Sequence, residues 1–421
     1  MFRLQGRLHQ DNFYTEIEPL KYSKWCIEFD VVMLYRHGDR SPVAVYPKDP
    51  NTESSWPMGL GQLTNEGKEQ EYNLGQLLRR RYGDNLKFLN KTFNVKDVYV
   101  RSTDYDRTLM SAYCMLAGLF PPTKEDSWNK NITWQPIPVH TEPKKDDHLI
   151  YLDNPCPVFT SKMEYFMSHD PEVLQVKNDT QDLVKYVAEH SGLPATFQGM
   201  MKILDTIFCE QTHNKRQPDW LNADTLKRLN YIQKTYKVKW WYPTHEMAVL
   251  KGGNLLKKIY EDMQIKVNTP ANLTQKIMVY SAHDSTVAAL LKTMKIFNDR
   301  TPTYSSCVMI ELHDDNTVRI LYRNDTFTDD IVTLTLPGCS EFCDIDQFHT
   351  ILNDSMPSDW RKACGLSDAN EQNFKNNILG YSVMACIIFL LTLLVVTICC
   401  IYQRQRKQYR YMELPTDMAE S

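Results

Sequence analysis

The chain has 421 residues, 42% of them hydrophobic and 24% charged, and a formal net charge of −4. Disordered, collagen-like and heptad-repeat classes are excluded by that composition. So balanced a charge also gives no footing for nucleic acid. The length suffices for two or three domain-sized units with a sizeable core.

In chain order, residues 1–27 form a polar N-terminal extension, and Met1 to Lys24 hold no apolar segment of the signal-peptide kind. The run Phe29-Asp30-Val31-Val32-Met33-Leu34 predicts a buried strand. Leu63 to Tyr82 has helical spacing, with Thr64 as N-cap. Asp97 to Val100 predicts a second strand, and Thr108 to Leu119 a helix stopped by Phe120-Pro121-Pro122. From 129 to 242 the pattern is irregular, with helical stretches such as Leu226 to Lys237, and reads as an inserted cap. Lys276 to Tyr280 predicts a third strand, followed by a helix from Thr286 to Met294. Alternation in Ser306–Leu312 and Thr317–Tyr322 predicts an antiparallel pair. The expected fold is α/β: a mostly parallel central sheet flanked by helices, built from 28–128 and 243–365, with an α-helical cap over 129–242.

Beyond a stalk at 366–376, no charge occurs from Asn376 to Gln403, long enough for one C-terminal transmembrane helix over 377–402. Arg404, Arg406, Lys407 and Arg410 follow, which predicts a cytoplasmic tail at 403–421 and a type I single-pass topology in the lipid bilayer. Six Asn-x-Ser/Thr sequons precede the span, at Asn90, Asn131, Asn178, Asn272, Asn324 and Asn353. Eight cysteines also precede it, an even number that permits disulfides in a secretory compartment. Spacing alone favours only Cys339–Cys343. The absence of a signal peptide conflicts with this topology and points to an alternative or incomplete start. A cytosolic tail-anchored enzyme is the rival, against which the sequons and cysteines count. In the tail, Tyr411-Met412-Glu413-Leu414 fits a tyrosine sorting signal read by clathrin adaptors. With no C-x-x-C or H-E-x-x-H pattern, no metal is expected.

Each of the three apolar strands ends in a charged turn that opens a helix. The turns are Arg36-His37-Gly38-Asp39-Arg40-Ser41-Pro42, Arg101-Ser102-Thr103-Asp104 and Ser281-Ala282-His283-Asp284. Ligands of open α/β sheets bind beyond the carboxyl ends of strands, near helix N-termini. If the strands are neighbours, one crevice gathers three arginines, two histidines and an aspartate, an inventory suited to a phosphoryl group.

These motifs resemble the histidine acid phosphatases, branch two of the histidine phosphatase superfamily. The likeness runs from about Phe29 to Cys364 and, with the membrane span, is strongest toward the vertebrate lysosomal and prostatic type. It implies a sheet domain with a helical cap, a covalent phosphohistidine and no cofactor. By residue, it implies His37 as nucleophile, Asp284 as proton donor and His283 as second histidine, with Arg36, Arg40 and Arg101 as phosphate clamp. The same resemblance implies the bridges Cys156–Cys364, Cys209–Cys307 and Cys339–Cys343, and a homodimer. Arg101 could instead pair with Asp104 or Asp106, and Asp284 could merely cap a helix. Asp39 and Asp106 read as structural partners of arginines, and His140, His169, His190, His213 and His245 as plain residues.

The expected activity is acid hydrolysis of small phosphomonoesters in the lysosome, endosomes or at the cell surface, with the catalytic part lumenal or extracellular. Two alternatives use the same site: an ecto-nucleotidase and a lysophospholipid phosphatase. A third, a non-catalytic receptor or adhesion ectodomain, would have no use for an acid beside a nucleophile.

Overall fold

A computed structural model of the chain describes residues 28–366, 384 and 387–406. The chain divides into two units, Met1–Trp360 and Arg361–Ser421, each taken by itself.

The elements of the first unit begin with strand β1 (Glu28–Arg36), α1 (Asn65–Leu78), β2 (Val98–Ser102), α2 (Asp106–Leu119) and β3 (His140–Thr141). Five helices follow: α3 (Pro157–His169), α4 (Pro171–Asp179), α5 (Gln181–Ser191), α6 (Phe197–Thr212) and α7 (Ala223–Thr235), the last running into a π-helical turn, Tyr236–Trp240. Then come α8 (His245–Asn268), β4 (Ile277–Ala282), α9 (Asp284–Thr293), β5 (Cys307–His313), β6 (Thr317–Arg323), β7 (Val332–Leu334), β8 (Cys343–Asp344) and α10 (Ile345–Leu352).

The strands form one sheet in the order β3-β2-β4-β1-β5-β6-β7, with β8 also on β6. It is parallel from β3 through β1 and antiparallel from β1 outward, so the parallel half is where βα turns share one edge. The expected antiparallel pair is β5 with β6.

Both faces of this sheet are covered, which is why β1 reads as an unbroken apolar run rather than an alternation. On one face Val31, Met33 and Tyr35 pack with Val98, Val100 and Val279 under Leu74, Leu78, Met115 and Leu116 of α1 and α2. On the other, Val32, Leu34, Met278 and Tyr280 lie under Leu255, Ile259, Val287 and Leu290 of α8 and α9. Helices α4 to α7 and the π-helical turn bury a separate cluster, among it Val173, Ile203, Leu229 and Trp240, reached by Tyr46 from the loop after β1. The stretch before α3 does not share that core: Ile137 packs with the first sheet face and Ile150 with the second.

In the second unit the helix Ile387–Arg406 has 20 residues and a mean hydropathy of 2.2, long and apolar enough to cross a membrane. Its last turn carries Arg404 and Arg406. The extension 1–27 with Cys26, most of the stalk, the start of the expected span and the tail with Tyr411 and Leu414 lie outside the described residues.

Candidate active site

β1 and β4 are parallel neighbours in the register Arg36↔Ala282, so their ends deliver Arg36-His37 and His283-Asp284 side by side. The His37 backbone N–H donates to the Ala282 carbonyl across 3.0 Å. Beside it the turn meets the first turn of α1. A Cβ on Gly38 would come within 2.3 Å of the Gly67 carbonyl, and one on Gly67 within 2.1 Å of the Asp39 carbonyl. Both positions therefore need glycine for the backbones to approach. Thr64 caps α1 through the Gly67 N–H and donates to Asp39 Oδ2.

The His37 ring is 3% exposed. Its Nδ1 lies 2.8 Å from the Gly38 carbonyl, which can only accept. Nδ1 therefore carries the proton, leaving the lone pair on Nε2. The His283 ring stands edge-on to it at 5.5 Å between centroids, and the Tyr304 ring lies 6.0 Å away. Burial, then Arg36 and Arg107, push the His37 imidazole well below its ordinary range. His283 is pushed down to about 3 by burial and then by Arg107. Both rings stay neutral in mildly acidic solution.

Three guanidiniums act on His37: Arg36, Arg40 and Arg107. Arg36 donates to the Pro302 carbonyl at 2.8 Å, lies 4.1 Å over the Tyr304 ring and sits 3.5 Å from Asp284 Oδ2. Arg40 holds Asp205 from α6 in a two-pronged pair at 2.8 and 3.1 Å. Arg107, in the first turn of α2, lies 4.3 Å over the Tyr105 ring. Among the described residues its guanidinium has no hydrogen bond or ion pair. The Nε atoms of all three are buried without an acceptor. Orphaned cationic donors around one imidazole are costly unless an anion comes to them.

Asp284 opens α9 and faces the same crevice, with Arg36 at 3.5 Å and Lys237 of the π-helical turn at 3.3 Å. Burial alone would raise its carboxyl, but Arg36, Lys237, His37 and Arg40 outweigh that and hold it well below the usual range. His283 Nε2 is 3.0 Å from the Thr103 hydroxyl, which lies 2.9 Å from that of Thr108.

A family model described as "Histidine phosphatase superfamily (branch 2)" matches residues 29–323. The chain belongs to that family. It is 39% identical to lysosomal acid phosphatase of Rattus norvegicus over 91% of its length and 90% of the relative's. To prostatic acid phosphatase of Homo sapiens it is 37% identical, over 81% and 89%. Among solved structures, the phytase of Citrobacter braakii matches with a TM-score of 0.59 at 16% identity, covering 80% of this chain and 98% of that one. The apo phytase of Hafnia alvei matches with 0.58 at 14%, covering 82% and 99%. These two show the shared fold alone. Membership and the acid phosphatase relatives make this phosphatase an acid phosphomonoesterase. They and the apolar helix fit a lysosomal membrane protein.

Two expectations need correction. Arg101 does not join the crevice. It donates at 2.7 Å to Asp147, a fully buried carboxylate, and borders a separate polar cavity of about 420 Å³ with Glu142, Asp146 and His148. The alternation of β2 is the reason: Arg101 shares the half-buried face of Tyr99, and the chain must turn into α2 before a side chain reaches His37. Arg107 does so. The second correction concerns Cys209 and Cys307, which are free, buried thiols. Cys209 on α6 points at the Arg40 guanidinium, 3.8 Å away, whereas Cys307 lies inside the sheet with its Sγ 3.7 Å from the Val308 carbonyl.

Cys339 and Cys343 are joined, and Cys156 and Cys364 are each disulfide-bonded. Asn90, Asn131, Asn178, Asn272 and Asn353 are exposed; Asn324 is half-buried, its carboxamide oxygen accepting from the Thr303 N–H. Asp39 partners Thr64 and His213 rather than an arginine, and His213 stands edge-on to Trp56. With Glu66 these two bring ligand atoms within 4.8 Å of one another, but the Asp39–His213 contact is a hydrogen bond already made.

Proposed function

We propose that this phosphatase works through a phosphohistidine on His37. Phosphoryl oxygens take the unpaired donors of Arg36, Arg40 and Arg107. Nε2 of His37 attacks phosphorus, the ester P–O bond breaks, and protonated Asp284 gives its proton to the departing oxygen. Water then attacks the phosphohistidine, Asp284 recovers a proton from it, and phosphate leaves. His283 donates to a phosphoryl oxygen as charge develops. Asp284 is deprotonated in the free site, so its protonation accompanies binding of the phosphate dianion. The observation that carries this reading is the free Nε2 of His37 amid three arginines whose Nε donors are buried without an acceptor.

The same reading puts this unit in the lumen or outside the cell, anchored by the helix at 387–406, with Tyr411 to Leu414 as a sorting signal for adaptors. A homodimer belongs to it on family resemblance, and glycans on the sequons follow from their Asn-x-Ser/Thr pattern in a lumenal unit. Mixing the enzyme with radiolabelled phosphomonoester, quenching, and working up in alkali tests the chemistry. Wild type should retain label that His37→Ala lacks. Active wild type without label would mean direct attack by water.

A further inference from the structure

The cap sends one cation to the leaving-group side of the crevice. Lys237 lies in the π-helical turn Tyr236–Trp240, a geometry that re-aims side chains and recurs at functional sites. Its Nζ is 3.3 Å from Asp284 Oδ2, the oxygen that Arg36 approaches at 3.5 Å, and 5.4 Å over the Trp241 ring. It also acts on Asp205, the partner of Arg40. Unlike the Arg36 side chain, 7% exposed, that of Lys237 is 25% exposed, so it borders both the carboxylate and the mouth.

Charge balance then argues for an extra partner. Arg36, Arg40, Arg107 and Lys237 are set against Asp205 and Asp284, while Glu71, which Arg36 also reaches, is pushed well above the usual carboxylate range by burial. With Glu71 neutral, the surplus over Asp205 and Asp284 equals one phosphate dianion. Once Asp284 holds the proton destined for the ester oxygen, one cation loses its counter-charge. That cation is Lys237, because Arg36 keeps the phosphoryl group, the Pro302 carbonyl and the Tyr304 ring.

We infer that Lys237 binds an anionic group on the leaving alcohol, so that preferred substrates are phosphomonoesters whose alcohol carries a carboxylate or a second phosphate. This rests on the phosphohistidine reading, which places Asp284 at the ester oxygen. A lysine serves as a point charge that follows carboxylate or phosphate alike, without the fixed fork of arginine. Lys237 leaves Asp284 for the substrate's anion, and Asp284 is thereby free to protonate.

A matched pair of substrates tests it: phenyl phosphate and para-carboxyphenyl phosphate, with the full chain as wild type, Lys237→Met and Lys237→Arg. Wild type should favour the carboxylated ester by about five- to tenfold in kcat/KM, and less at high salt. In Lys237→Met the ratio should fall to about one, while Lys237→Arg keeps most of it. An unchanged ratio in Lys237→Met, or no preference in wild type, overturns the inference and leaves the phosphatase reading standing. Wild type inert toward both esters overturns both.

Discussion

Arg36 Nη2 lies 3.5 Å from Asp284 Oδ2, so the arginine that ends β1 and the carboxylate that follows β4 form one electrostatic unit. If Asp284 supplies the proton, its loss matters only where the departing oxygen needs one. Asp284→Asn should lower kcat for an alkyl phosphate by about 10²–10⁴-fold. A nitrophenyl ester, whose phenolate leaves unaided, should lose less than about tenfold. Steady-state kinetics on the two esters measures this, and equal losses would remove Asp284 as donor.

Arg107 and Arg101 should separate cleanly. Arg107→Ala removes a buried donor set from the phosphoryl group and should cost about 10²-fold or more in kcat/KM, with little change in stability. Arg101→Ala leaves Asp147 buried without its cation, which costs about 3–5 kcal/mol. Its kcat/KM, measured below the unfolding temperature, should stay close to wild type. Denaturant titrations beside the kinetics decide it; the reverse pattern would restore Arg101 to the site.

How much of this was legible depends on what each signal was made of. The three apolar runs and the R-H-G-x-R-x-P turn gave β1, β2, β4 and the pairing of His37 with His283, since buried parallel strands carry their own signature. The exchange of Arg101 for Arg107 was not legible from Arg-Ser-Thr-Asp alone, because the two arginines differ only in whether the strand or the following helix turn presents them. Asp284 opens α9 as Asp106-Arg107 opens α2, so the rule placing ligands at helix N-termini was the available signal. Lys237 left no trace: its position depends on how α7 ends against Trp240 and Trp241, a tertiary fact. The Cys209–Cys307 pairing came from resemblance, and the strand and helix that carry these residues hold the two sulfurs in different surroundings.

Cysteine chemistry reports on that directly. With Cys209 and Cys307 free and buried, the native chain should resist thiol reagents there, since burial pushes both thiols up to about 12. After unfolding without reductant both should be alkylated, whereas Cys339 and Cys343 should stay protected by their disulfide. Peptide mapping by mass spectrometry reads each site. Protection of Cys209 and Cys307 under those conditions would show a bridge.

The two crevice histidines should make the ligand-free enzyme sensitive to acid. Both have folded pKa values below the unfolded 6.5, so the unfolded chain takes up protons first as pH falls. Their contribution to stability is full above pH 6.5 and declines toward about 3 for His283. His283→Gln should lessen the wild-type loss between pH 6.5 and 4.5 by about 1–2 kcal/mol. Urea unfolding at the two pH values tests this, and identical slopes would refute it.

Asp30 acts in the opposite sense over nearly the same range. It is 1% exposed, and no side chain among the described residues donates a hydrogen bond to it. Burial raises its carboxyl to about 7, against the pull of Lys266. The folded chain therefore keeps this proton when the unfolded chain has lost it, and the associated stability is full below pH 3.8 and gone once pH has risen through about 7. Asp30→Asn should remove this falling contribution, so that relative to wild type the mutant gains about 1–2 kcal/mol on going from pH 5 to 7.5 in urea unfolding. Because the histidines lose stability toward acid and Asp30 gains it, the two slopes offset each other. His283→Gln should therefore shift the profile toward acid tolerance and Asp30→Asn away from it, each relative to wild type.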